Sequence, residues 1–473
     1  MAFINDLLDR DKYSEAKKVL KCAGRVGDQL DQEVYAVGGL LRDLLMDKNI
    51  NDIDIMTVGD GIGFAKKLAN EIGIKKIVPF ARFGTALIPS MPLQIEVATA
   101  RNEKYDMGSR KPSKIVYTNL EGDLSRRDFT INAMAMDIRA KSFGQLFDPY
   151  KGIADIHQKC IKTPLDPDET FSDDPLRMMR AAYFSSKLGF QIESVCLSSI
   201  RRQGKRIKIV SAERIRDEFI KILKTPKPSL GLRILQKTGL MEIVFPEIHT
   251  MYGMNQTAEW HHKDIFAHTL QVVDNAARLS EKMELRFAAL VHDIAKPKTR
   301  RIDDEKGYTF YGHDVVGEHM INNVASRMRL SKKTADYLKK MTRLHLRPIA
   351  LVKSEVTDSA VRRLMVAAGD DLDDLMLLCR ADITTKNSNR VKQYLSNFEK
   401  VEEKMENVIE KDSLKSFQSP IKGKEIMEIC GIKEGPEVGQ IKKSIENAIL
   451  DGEIENNYKS AESLLKKIRS NLQ

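Results

Sequence analysis

The chain has 473 residues, about three domains at the usual ~150 residues each, with 42% hydrophobic and 30% charged residues. That balance excludes wholesale disorder, and no run approaches the roughly 18 apolar residues of a membrane helix, so no membrane partner is expected. Lys plus Arg number 77 against 67 Asp plus Glu, a net charge of +10 that favours polyanionic partners, nucleic acid first.

In chain order, MAFINDLLDR offers no apolar export segment, and five scattered cysteines (22, 160, 196, 379 and 430) suit neither a disulfide framework nor a thiolate zinc site. Both observations predict a cytoplasmic protein with reduced thiols. The β-branched runs VYAV (34–37), IDIMTV (53–58), TALIP (85–89) and LQIEVA (93–98) read as strands. From about 150 onward apolar residues recur three and four apart, predicting helices over 175–190, 211–224, 264–279, 285–295 and 359–380. Turn-forming stretches at 163–170, 225–229, 301–307 and 416–425 punctuate them. The class is α+β: a mixed-sheet head over 1–150, a helical neck over 151–250 and a helical body and tail over 251–473. The Lys-rich helices after 437 read as solvated faces.

Asp52 and Asp54 are two apart on a predicted strand, so their carboxylates share a face. Converging carboxylates suit Mg²⁺, and the Gly38-Gly39 turn just upstream offers backbone N–H groups to a triphosphate. Glu96, on the strand LQIEVA, could add a third carboxylate. A D-x-D alone also fits an exposed strand edge.

The surrounding motifs are more specific. GGLLRD (38–43), DID (52–54), RNEKYDMGSRKP (101–112), DLSRRDFTINAMAMD (123–137), DDPLRMMRAAYFSSKLGF (173–190) and SAERIRDEF (211–219) occur in one order. Together they resemble the class II tRNA nucleotidyltransferases, the CCA-adding enzymes, and the related bacterial poly(A) polymerases. The resemblance implies a nucleotidyltransferase head in which Asp52 and Asp54 hold two Mg²⁺ ions for two-metal phosphoryl transfer. It also implies that Arg42 and Asp43 are the pair following the glycine turn, the arginine suited to phosphate, and that in Arg126, Arg127 and Asp128 an arginine reaches phosphate and the aspartate reads the ribose. Asp174 and Arg177 would present a carboxylate and a guanidinium to the base edge of the incoming CTP or ATP, sharing a helix face at a spacing of three. Arg180 joins this nucleotide-binding set. The family usually has Glu where this chain has Asp173. Arg101, Glu103, Tyr105 and Arg110 fall in the flexible loop that CCA-adders need for the switch from C to A.

Seven of the nine histidines lie at positions 261, 262, 268, 292, 313, 319 and 345. HHKDIFAH, AALVHDIAKP, YGHDVVGEH, RLHLRP and CRADIT resemble the HD superfamily of metal-dependent phosphohydrolases, which implies His268, His292, Asp293 and Asp382 as ligands. His313 and His345 could complete a second ion. Imidazole with carboxylate suits a divalent transition metal more than Mg²⁺ alone. The alternative is an HD-like scaffold whose histidines are satisfied without metal.

The expected function is addition of CCA to tRNA 3′ ends from CTP and ATP, releasing pyrophosphate, with a possible phosphohydrolase activity in the body. The alternatives are a poly(A) polymerase, or chiefly an HD phosphohydrolase.

Overall fold

The computed structural model describes residues 4–89, 92–105, 112–255, 264–305, 307–353, 357–385, 387–412 and 419–470. The chain divides into two compact units, Met1–His249 and Thr250–Gln473.

In the first unit nine strands precede the neck: β1 (Glu33–Val37), β2 (Asp52–Val58), β3 (Val78–Phe80), β4 (Thr85–Ile88), β5 (Gln94–Thr99), β6 (Arg101–Tyr105), β7 (Pro112–Tyr117), β8 (Ala135–Asp137) and β9 (Leu146–Phe147). Seven form one sheet in the order β3-β4-β5-β2-β1-β8-β9, while β6 and β7 make a separate hairpin. Within the large sheet β2 and β5 run parallel and the other neighbours antiparallel. The four expected strands are β1, β2, β4 and β5. Helices α1 (Ser14–Leu30), α2 (Gly39–Leu45) and α3 (Gly61–Glu71) belong to the same half. Period-two alternation buries Ile53, Ile55, Ala86, Ile88, Ile95 and Val97, with Phe64, Ala65 and Leu68 of α3 buried against them. Each of the larger of these side chains, the isoleucines, Val97, Phe64 and Leu68, contributes about 1.5–3 kcal/mol. The other face stays open around Asp52, Asp54 and Glu96.

The rest of this unit is mostly helical, apart from a short parallel pairing of Cys160–Ile161 with Gln191–Ile192: α4 (Leu120–Ser125), α5 (Pro167–Asp173), α6 (Leu176–Leu188), α7 (Ala212–Leu223) and α8 (Pro228–Lys237), with α6 packed on α7 and α8. The sequence suggests one helical face for Asp174 and Arg177, and the structure corrects this. Pro175 disfavours the helical region for the residue before it. Asp174 accordingly has φ −132° and ψ 99°, between α5 and α6, and its Oδ1 accepts from the Leu176 amide.

The second unit holds α9 (Ile265–Leu279), α10 (Met283–Val291), α11 (His313–Arg327), α12 (Lys332–Leu344), α13 (Asp358–Ala368) and α14 (Leu372–Ala381). The helix expected over 359–380 is two, because the chain turns at Gly369 with φ +54°. The polar stretch at 301–307 is part of a hairpin pairing Arg301–Asp303 with Gly307–Thr309. Near the C-terminus, Ile441, Ile445 and Ile449 form a buried cluster with Ile421, Ile426, Ala461 and Leu465, so these helices have an apolar face as well as a solvated one.

Candidate active site and metal centre

Strand β1 ends in the Gly38-Gly39 turn that opens α2. Gly38 has φ +71°, and a Cβ there would lie 3.0 Å from Asp54 Oδ2 and 3.1 Å from Arg127 Nη1. Only glycine combines that backbone with so close an approach. Asp52 pairs with Gln94 and Asp54 with Glu96 in the β2–β5 register, so all three carboxylates share the open face. Burial first, and then the neighbouring Asp52, pushes the Asp54 carboxyl up to about 6. Acids crowded in this way fit a bound hard cation, which would relieve both effects.

Beside them lies a cavity of about 580 Å³ lined by Gly38, Arg42, Asp52, Asp54, Arg126, Arg127, Asp128, Asp174, Arg177 and Arg180 among others. Asp43 lines it too, but Glu96 does not. Arg42 is buried, placing Nε and Nη2 each 2.9 Å from Asp43 and Nη1 2.7 Å from Asn132 Oδ1, so its fork is held by protein. Asp128 Oδ1 accepts from Asn132 Nδ2 at 3.0 Å, and its Oδ2 accepts from Arg180 Nε at 2.7 Å. Burial raises the Asp128 carboxyl, but Arg180, Asn132 and Arg177 together outweigh it and the net shift is downward. Arg177 donates to the carbonyl oxygens of Arg126 at 2.6 Å and Thr170 at 3.4 Å. Asp174 Oδ2 is 3.2 Å from Arg214 Nη2.

Sequence reasoning missed Asp123. It is 1% exposed; its Oδ1 takes Arg126 Nη2 at 2.6 Å and its Oδ2 takes Arg127 Nη2 at 2.9 Å. One carboxylate thus sets the spacing of both arginines. Asn132, Tyr183, Lys187, Arg214 and Lys221 also line the cavity without having been singled out. Helical spacing from Arg177 and Arg180 along α6 points to Phe184 and Lys187, whereas Asn132 has no comparable signal. Of the expected loop, Arg101 begins strand β6 and its carbonyl accepts from Arg126 Nε at 2.6 Å. Glu103 and Tyr105 belong to the same strand; Arg110 lies outside the described residues.

In the second unit His268 comes from α9, His292 and Asp293 follow α10, His313 opens α11, His345 follows α12 and Asp382 follows α14. Three imidazoles donate from Nδ1 to backbone carbonyls: His292 to Ala289 at 2.9 Å, His313 to Phe310 at 2.7 Å and His345 to Thr342 at 2.7 Å. A carbonyl only accepts, so in the neutral ring each Nε2 carries a lone pair. Those atoms converge. His268 Nε2 is 2.9 Å from Asp382 Oδ1, and His313 Nε2 is 3.3 Å from His345 Nε2.

Asp293 stands between the two groups, with Oδ2 3.2 Å from His292 Nε2 and Oδ1 3.3 Å from His313 Nε2. His292 Nε2, Asp293 Oδ2 and Asp382 Oδ1 are all buried within this cluster, and Lys296 Nζ forms an ion pair with Asp293 Oδ2 at 2.6 Å. Burial lowers His292, but Asp293 and Asp382 outweigh it and push it up to about 10, while burial and the adjacent His292 push His345 down to about 4. Donor atoms of His268, His292 and Asp382 fall within 4.8 Å of one another, as do those of Asp293, His313 and His345. Buried imidazole nitrogens and carboxylates that converge in this way are a donor set that fits a divalent metal. His319 is exposed and outside both groups; His261 and His262 lie outside the described residues.

Three family models match the chain: the poly A polymerase head domain over 34–162, the "Probable RNA and SrmB- binding site of polymerase A" over 189–252, and the HD domain over 265–386. The Multifunctional CCA protein of Vibrio vulnificus (strain YJ016) is 32% identical over 364 residues, 74% of this chain and 84% of that protein. Among solved structures, the Bacillus stearothermophilus CCA-adding enzyme in complex with CTP matches with a TM-score of 0.64 at 22% identity, covering 98% of each chain. The Thermotoga maritima CCA-adding enzyme, solved with tRNA, matches with a TM-score of 0.58 at 21% identity, covering 99% of each. These likenesses establish the fold, and the extent of the Vibrio match shows the family: the chain belongs to the tRNA nucleotidyltransferase and poly(A) polymerase family and carries an HD domain.

Proposed function

We propose that this protein adds CCA to the 3′ ends of tRNA from CTP and ATP without a nucleic-acid template. The observation that carries the reading is the juxtaposition of three carboxylates with an arginine-lined cavity wide enough for a nucleotide. Asp52, Asp54 and Glu96 would hold two Mg²⁺ ions, whose chemistry is to acidify the primer hydroxyl and to neutralise the departing pyrophosphate. Arg126 and Arg127, spaced by Asp123, orient the phosphates. Asp174 and Arg177 face the base edge, with Arg214 and two backbone carbonyls fixing their directions. Asp128 lies beside the ribose and is held in place by Arg180 and Asn132. Because these groups come from both sides of residue 150, we take 1–150 as catalytic head, 151–250 as the neck that completes the cavity, and 251–473 as the body. Extension of a tRNA lacking its CCA end, with CTP and ATP as the only nucleotides, tests the reading against a poly(A) polymerase, which would use ATP alone.

A second reading rests on the histidine cluster. We infer that the body binds transition metal and hydrolyses a phosphoester, with 2′,3′-cyclic phosphate ends the first substrate to assay. Asp293, placed between two sets of imidazoles, supports a paired-metal arrangement. The five free thiols and a tRNA substrate favour the cytoplasm, and among the described residues no helix is long and apolar enough to cross a membrane.

A further inference from the structure

The open face of the head sheet continues beyond the carboxylates. Asp54 pairs with Glu96, Glu96 with Leu87, and Leu87 with Val78; two residues along, Thr85 pairs with Phe80. Laterally paired residues point to the same face of a sheet. Val78 and Phe80 therefore lie on the surface that carries the acids, three strand spacings of about 4.8 Å away, or roughly 14 Å. Both are unusually open for apolar side chains, 46% and 49% exposed. Phe83 follows directly, with the guanidinium groups of Arg82 and Arg101 5.7 and 5.6 Å from its ring centre. The exposed Tyr117 borders it, for a Cβ on Gly84 would lie 3.3 Å from its ring. Residues 72–95 contain Lys75, Lys76 and Arg82 and no Asp or Glu.

Resting on the polymerase reading above, we propose that this ledge receives the single-stranded 3′ end of the RNA primer. The terminal bases stack on Phe80 and Phe83, and the phosphates run along Arg82 and the adjoining lysines. Aromatic faces interleaved with cations are the chemistry of sequence-tolerant single-strand binding. A span of 14 Å corresponds to about four nucleotides at a stacked rise of 3.4 Å, so RNA lying here ends at the carboxylates. A second copy of this chain is the poorer occupant, because Pro79 removes a donor from β3, the edge strand that such pairing would use.

The test is steady-state kinetics of Phe80→Ala, Phe83→Ala and the double variant on CCA-less tRNA. Loss of one stacked base predicts a rise of about 5- to 100-fold in KM for the primer, while KM for CTP at saturating primer changes less than twofold. Phe83→Trp should restore primer KM, and Arg82→Gln should flatten its dependence on salt. An unchanged primer KM, or an equal rise in both KM values, overturns the proposal, as does loss of a concentration-dependent dimer in the variants on sedimentation. If the unaltered protein extends no tRNA, the polymerase reading fails, and anisotropy of a labelled single-stranded RNA still decides the ledge: weaker binding by the double variant supports it and equal binding refutes it.

Discussion

Asp54 and Glu96 stand side by side on the parallel strands β2 and β5, in register across the only parallel pair of the described head sheet. That pairing turns a two-acid motif into a three-acid surface, on which burial first, then Asp52 and less strongly Glu96 make Asp54 hard to ionise. The ordinary carboxyl value of 3.8 becomes about 6 in the fold. Because the folded value is raised, stability is complete below about 4 and falls as pH rises through 6.

Asp54→Asn is therefore expected to stabilise the metal-free protein at pH 8, by about 1–3 kcal/mol allowing for partial exposure, with the gap closing toward pH 4. Nucleotide addition should drop at least about 10³-fold. Thermal melts across pH in EDTA, alongside extension assays, measure both. A variant less stable than its parent at pH 8 would deny the crowding of the acids.

Asp123→Asn leaves Arg126 and Arg127 without their shared partner. Breaking one side of a buried ionic contact should cost about 2–4 kcal/mol, and misplaced phosphates should raise KM for CTP and for ATP alike. Asp123→Glu should recover part of both. The informative result is the nucleotide KM measured well below the melting temperature: no change there would make Asp123 a purely structural residue.

Arg177→Ala should blur the choice among nucleotides more than it slows transfer if, as proposed above, its fork serves the base rather than phosphate. A good bidentate contact discriminates by about 1–3 kcal/mol. Since the fork is also held by two carbonyls, Arg177→Lys should not rescue it. Misincorporation of UTP and GTP is the readout, and unchanged rejection would locate base reading elsewhere.

Asp293→Asn should abolish metal binding in the body, because both groups of histidines meet at that carboxylate, while His345→Ala should halve the metal content. Elemental analysis after loading with Mn²⁺ or Ni²⁺ gives the stoichiometry. Neither variant should lower CCA addition. Equal metal in the parent and Asp293→Asn would reduce the cluster to a scaffold.

Much of this was legible in the residues because the signals are local. β-Branched runs marked β1, β2, β4 and β5, a spacing of two put Asp52 and Asp54 on one strand face, and the resemblance to the HD superfamily pointed to the His-Asp pair. Short strands such as β8 and β9, of three and two residues, carry too little pattern to be seen. Asp123 was missed because its role depends on the fold bringing two arginines around one carboxylate. Asp174 was assigned to a helix because its spacing to Arg177 outweighed the effect of Pro175 on the residue before it. The ledge of Val78 and Phe80 was invisible for the same reason as the Asp54–Glu96 pairing: strand order, not sequence distance, creates it.

The central claim is tested most directly by incubating a tRNA transcript without its CCA end with CTP alone, ATP alone and both together, and resolving the products at single-nucleotide length. The account predicts a stop after two additions with CTP, and a stop after three with both. A long ladder from ATP alone, or no extension under any condition with the unaltered protein and Mg²⁺, would contradict it.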